Sequence, residues 1–362
     1  MSAVSAILAP LIGSFLADRI ISAEKLFVIC NLGGALLAFY LSTVTSFKPF
    51  LIGYLFYMIF TGPAIPLSNA IIFHHVENRE RDYGKMRIWG TLGWIAAALL
   101  FGYLWLKLYE GVPVEEKLGS ALVLSSISSF LCALIGLAIS NSNIDTEANN
   151  NFFPIKVFKT FLKPEVLVVA LCGLLVYSAD RFYFFGAGPY MKELGFAETN
   201  ILPALSIGQI GEIFAMLSLG WILMKFKSEK ILIFGAIVSL ARYIILSFSS
   251  TKLTLLSGVA LHGISYTFFY SVAYVYLDRH TNRQVRAGVH QVFRIMTAGL
   301  GNILGNFSTG KSSDILGVLR DSPENYKYFW LIPASLTLSA ILLLLLILKK
   351  EVIFYKKHSV ES

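Results

Sequence analysis

Apolar residues occur in this chain as eleven long runs, at about 3–17, 25–45, 49–73, 88–107, 119–140, 165–190, 200–224, 230–248, 253–277, 288–309 and 328–348. A helix needs about 20 apolar residues to cross the hydrocarbon core of a bilayer. In lipid, only helices and closed barrels satisfy their own backbone groups. Runs of this length predict an all-α polytopic membrane protein with about eleven transmembrane helices. A soluble core is excluded by composition as well, since 56% of the 362 residues are hydrophobic, 14% are charged and the mean hydropathy is +0.68.

The formal net charge of +8 could by itself suggest a nucleic-acid partner. In a membrane protein, however, basic residues collect in cytoplasmic loops facing anionic lipid, so no nucleic acid is expected. With the C-terminus inside, 19 Lys and Arg residues, from Arg19 and Lys25 to Lys356 and Lys357, fall on one side and seven on the other. This predicts a cytoplasmic membrane protein with its C-terminus in the cytoplasm and, for an odd number of spans, Met1 outside. The first run lacks the basic leader of a signal peptide. Cys30, Cys132 and Cys172 lie inside apolar runs without CxxC spacing, so they read as packing residues rather than as disulfides or a zinc site.

Residues 141–163 divide the chain into an N-terminal helical bundle, 1–140, and a C-terminal six-helix bundle, 164–350, followed by a tail, 351–362. Within the divider, FFPIKVFKTFLK reads as an amphipathic interfacial helix with Ile155, Phe158, Phe161 and Leu162 as its apolar stripe. The bundles hold five and six spans. A transporter of repeated halves expects six and six, which predicts a first helix preceding Met1.

Polar residues inside the spans carry the functional reading. Glu212 sits near the middle of the run 200–224, where an ionised carboxylate costs roughly 2.5–3.5 kcal/mol and so should face protein or water. Gln209 and Ser206 share its helix face, and Gly208 and Gly211 form a second, small face for a neighbouring helix. Arg87, Thr91 and Trp94 fall at i, i+4 and i+7 on one face, a pattern that fits a ligand-binding stripe or an interfacial anchor. Asp180 shares a face with Tyr177 and Phe184, beside Tyr183; this suits a polar organic solute, and a buried ion pair holding helices together fits it too. His262, Arg242 and Arg294 are weaker candidates, His262 reading as a helix contact. Gly62, Pro63, Pro66 and Asn69 predict a kinked third span.

Residues 305–312, GNFSTGKS, match the phosphate-loop pattern G-x-x-x-x-G-K-[ST] letter for letter. That loop needs a preceding strand and a following helix, whereas this copy ends a membrane helix, and Gly301 with Gly305 reads as a packing pair. No HExxH or GxSxG motif or metal-ligand cluster occurs, so neither an enzyme nor a metal or cofactor is expected.

PLIGSFLADRI (10–20), YGKMRIWGTLGW (83–94) and SIGQIGEIF (206–214) together resemble the nucleoside:proton symporter family of the major facilitator superfamily. The resemblance runs through nearly the whole chain and makes the first run the family's second helix. It implies a two-bundle fold and import of nucleosides driven by the proton gradient. It places the inner gate at Asp18 and Arg19, and the nucleoside site at Arg87, Thr91, Trp94, Gln209 and Glu212. Three positions depart from the family pattern: Asp180 stands where a glutamine is expected, Tyr183 where an asparagine is, and Thr267 where an aspartate of the tenth helix is. The RIWGTLG stretch is shared with sugar and aromatic-acid carriers, which keeps such a carrier as the alternative within the class. A transport-incompetent sensor is the alternative outside it. The expected proton-coupling residues are Glu212 first and Asp180 second, and the expected partners are a small solute, protons and lipid, with the chain a monomer.

Overall fold

The computed structural model describes residues 21–64, 67–68, 71, 79–109, 111–139, 155–281, 286–319 and 323–358. The described residues build helices and no strand, as the backbone of a chain in lipid requires. In chain order these are α1 (Ala23–Thr43), α2 (Phe47–Thr61), α3 (Arg79–Leu99), α4 (Val114–Leu137), α5 (Ile155–Phe161), α6 (Pro164–Glu193), α7 (Glu198–Leu205), α8 (Ile207–Lys225), α9 (Ser228–Ser247), α10 (Lys252–Tyr266), α11 (Val272–Arg279), α12 (Arg286–Arg294), α13 (Asn302–Leu316) and α14 (Tyr326–His358). Three π-helical stretches continue the α-helices without a break. Leu100–Trp105 extends α3, Thr267–Ser271 joins α10 to α11, and Ile295–Gly301 joins α12 to α13.

Eight helices among the described residues are long and apolar enough to cross a membrane, and α2 is a shorter apolar helix. The expected eleven reduce to these for three reasons. The run 3–17 lies outside the described residues. The run 49–73 loses its helix at Gly62 and Pro63, while Pro66 and Asn69 again lie outside. The run 288–309 is helical throughout but carries Arg294 and a string of small polar residues. Large side chains such as Phe214, Leu217 and Met224 project from α8 with well over half their surface exposed, which in a bilayer is contact with lipid.

The chain forms two compact units, one of 1–90 with 104–151 and the other of 91–103 with 152–362. In the first unit, Gly33 and Gly34 of α1 seat Phe60 and Thr61 of α2, and Gly136 of α4 seats Phe27 and Val28. Ser126 donates to the Ala35 carbonyl at 2.8 Å, tying α4 to α1.

In the second unit α6 is the axis. Gly186 lies against Phe329 and Trp330 of α14, and Gly173 against Phe293 and Thr297. Gly301 and Gly305 press on the α6 backbone at Leu174 and Ser178, which is the packing role read for this pair. Residues 305–312 lie inside α13, so their amides are spent on the helix and form no phosphate loop. A Schellman turn ends α6: Phe196 N donates to the Met191 carbonyl at 3.0 Å and Gly195 takes φ 78°. At the start of α10, Thr251 and Thr254 form a reciprocal capping box, which sets the register of the helix bearing His262 and Gly263.

Of the expected stripe of α5, the side chains of Ile155 and Phe158 lie outside the description, and Leu162 follows the end of the helix. Val157 and Phe161 are buried and Leu162 is exposed. Val157 fits over Gly288 of α12, so this edge of α5 packs on protein.

Candidate functional site

Two intramembrane carboxylates define the site, both in the second unit. Glu212 lies on the first turns of α8 and is 6% exposed. Gly208 and Gly211 bring α8 against the Val259 and Ala260 carbonyls of α10, as their small face predicted. In return, Gly263 of α10 lies so close to Glu212 that a Cβ there would be 2.6 Å from the Glu212 Cβ. Thr91 of α3 is buried, and its Oγ1 stands 3.5 Å from Glu212 Oε1. That separation is too long for a strong hydrogen bond, yet it sets a hydroxyl beside the carboxylate.

Asp180 is locked differently. Arg242 of α9, with no exposed surface, ion-pairs with Asp180 Oδ1. Tyr243 donates to the same oxygen at 3.1 Å while accepting from Arg242 Nη2 at 2.5 Å, and Tyr270 donates to Asp180 Oδ2 at 3.0 Å. The other arm of the guanidinium meets His262 Nδ1. Tyr183 stacks on the His262 ring at 4.6 Å, and the Arg242 guanidinium lies 4.9 Å from the Tyr183 ring centroid. A charge taken out of water needs a partner, and here each charge has the other; Asp180 accepts from three donors, while Arg242 Nε has no partner among the described residues. Arg181, next in sequence, points elsewhere and rests over the Tyr177 and Phe184 rings at 4.6 and 4.7 Å.

The structure thus brings Thr91 to Glu212, and Asp180 to Tyr183 through Arg242 and His262. Gln209 is half-buried, and its side chain makes no hydrogen bond among the described residues. Trp94 is 40% exposed, a ring with an open face. Thr267 is fully buried where the π-helical stretch begins, its hydroxyl without a partner among the described residues. Arg87 lies on α3, and its side chain is outside the description, as are Asp18 and Arg19. Sequence reasoning ranked Arg242 and His262 low and passed over Tyr243 and Tyr270. The one available signal was that all four lie inside apolar runs, where a polar group needs a partner.

Membrane-length helices and the likeness to solved structures define the class of fold: a helical membrane fold like that of two transporters of known structure. The crystal structure of a point mutant of the nucleoside transporter NupG superposes with a TM-score of 0.82 at 20% identity, covering 95% of this chain and 88% of that one. A bacterial homologue of the human lysosomal transporter Spinster, inward-facing and occupied, gives 0.69 at 14% identity, covering 95% and 88%. Residues 1–352 match the family described as Nucleoside H+ symporter, and this chain belongs to that family. It is 30% identical to YegT of Escherichia coli (strain K12) over 315 residues, 84% of this chain and 72% of that protein. The nucleoside permease NupG of the same organism is 23% identical over 360 residues, 92% and 82% of the two chains. These relatives are transporters, not enzymes.

Proposed function

We propose that the chain imports nucleosides together with protons across the cytoplasmic membrane by alternating access, as a monomer with its C-terminus in the cytoplasm. The observation that carries this reading is Glu212, a buried carboxylate in a membrane-length helix, held against Gly263 and beside Thr91. A carboxylate in that position takes up a proton where the site opens to outer water and releases it where the site opens inward. Asp180 is committed to Arg242, which leaves Glu212 as the proton carrier. Family membership and the nucleoside permeases among the relatives support the solute class. In this reading Arg87, Thr91, Trp94, Gln209 and Thr267 line the solute path, with the ring of Trp94 stacking on the base.

The test is uptake of a panel of labelled nucleosides, sugars and aromatic acids by cells expressing the chain, with and without a protonophore. Nucleoside accumulation abolished by the protonophore is expected. Accumulation of a sugar or an aromatic acid in its place would overturn the solute assignment, and accumulation indifferent to the protonophore would overturn the coupling.

A further inference from the structure

His262 has a role that neither its low rank in the sequence nor a structural ion pair accounts for. A guanidinium carries only N–H donors and does not lose its proton in proteins. The His262 Nδ1 that Arg242 approaches must therefore be the accepting nitrogen, which puts the imidazole proton on Nε2. Arg242 cannot turn away, because Asp180 and Tyr243 hold its other arm and Ser239 stands 3.4 Å from Nη2. The ring itself is fixed by Tyr183 stacked on one face at 17° and by Phe184 meeting it edge-on at 5.5 Å.

His262 is 95% buried, yet among the described residues no group accepts from its Nε2–H. A donor that the fold leaves without a partner is one a ligand can pair; in this cluster Arg242 Nε also has no partner among the described residues. The charged and titratable groups around the ring are Asp180, Arg181 and Tyr183 of α6, Arg242 and Tyr243 of α9, Glu212 of α8 behind Gly263, and Tyr266 and Tyr270 of its own span. Of these, Asp180 is already saturated by Arg242, Tyr243 and Tyr270.

We propose that Asp180 and Arg242 are positioning residues that fix His262 as a neutral imidazole protonated on Nε2, and that this N–H is a specificity-determining donor to a carbonyl or hydroxyl oxygen of the solute. The half concerning the solute rests on the nucleoside reading above; the tautomer does not. A donor held this way selects solutes that offer an acceptor and rejects those that leave it unpaired. Its lack of charge keeps it from competing with Glu212 for the proton.

The experiment uses the full chain, labelled with nitrogen-15 histidine and purified in lipid nanodiscs, with His262→Phe as the difference partner that isolates the His262 signal among the six histidines. Phe keeps the ring on Tyr183 and removes the donor. Expected are the signature of a neutral ring protonated on Nε2, unchanged between about pH 5 and pH 8, a shift of that resonance on adding uridine, and uridine binding about three- to ten-fold weaker in His262→Phe. Arg242→Gln, which can accept as well as donate, should mix the two tautomers, and Arg242→Lys, again only a donor, should restore the single one. A wild-type ring protonated on Nδ1, a ring that gains a second proton in this range, or uridine binding that leaves both the resonance and the His262→Phe affinity unaltered would each overturn the proposal. A signal of the expected tautomer that moves with a sugar or an aromatic acid and not with any nucleoside would support the donor and overturn the nucleoside assignment. If a variant fails to fold, the wild-type spectrum and its response to uridine decide alone.

Discussion

At the scale of single residues, the Asp180–Arg242 pair and Glu212 behave in opposite ways when neutralised. Asp180→Asn leaves the fully buried Arg242 without its counter-charge, a change that costs about 3–5 kcal/mol; the midpoint of thermal unfolding in detergent should fall sharply, and the double variant Asp180→Asn with Arg242→Gln should recover most of it. Glu212→Gln keeps side-chain volume and mimics the protonated form. It should still exchange labelled uridine for unlabelled across vesicles while losing accumulation driven by an imposed pH gradient, and full accumulation would move coupling away from this residue. Trp94→Ala should raise the apparent KM for uridine about ten-fold, because base stacking contributes about 1–3 kcal/mol, and an unchanged KM at equal expression would make Trp94 a packing residue. The sequence showed which residues were costly in lipid, but not how they pair. Asp180 and Arg242 are 62 positions apart, and no local periodicity links them. A lone histidine in an apolar run looks the same whether it packs or donates.

At the scale of helices, glycine placement governs how α8 and α10 cross. A Cβ at Gly263 would collide with the Glu212 backbone and Cβ, whereas at Gly220, also on α8, a Cβ meets nothing within 4 Å. Gly263→Val should therefore abolish both uridine uptake and a monodisperse peak in size-exclusion chromatography. Gly220→Ala should leave uptake intact and should raise stability by up to about 1 kcal/mol through helix propensity. The small face of Gly208 and Gly211 was legible in the sequence because three-residue spacing fixes a helix face. The matching Gly263 was not, since its partner depends on the axial register of a second helix. The π-helical stretches were equally hidden: an inserted residue changes the backbone pairing of an apolar run without changing its composition.

At the scale of the whole molecule, fold class followed from run lengths because lipid leaves a chain few options, and ten of the eleven runs hold described helices. The helix of α5 was legible, but the groove over Gly288 that takes Val157 was not, because hydrophobic periodicity does not distinguish lipid from protein. Orientation remains a matter of charge distribution. A single cysteine near Ser362, in a background lacking Cys30, Cys132 and Cys172, should resist an impermeant thiol reagent in intact cells and react after permeabilisation, and labelling in intact cells would invert every loop. The Asp180–Arg242 pair also has an electrical consequence. Two opposite charges locked together move no net charge when their bundle shifts within the membrane field, so a resting potential does no work on them. The same potential acts on the carried proton by about 2.3 kcal/mol per 100 mV. Voltage then pulls on the cargo and leaves the machinery alone, whereas a chain without Arg242 would present the field with a fixed negative charge to drag.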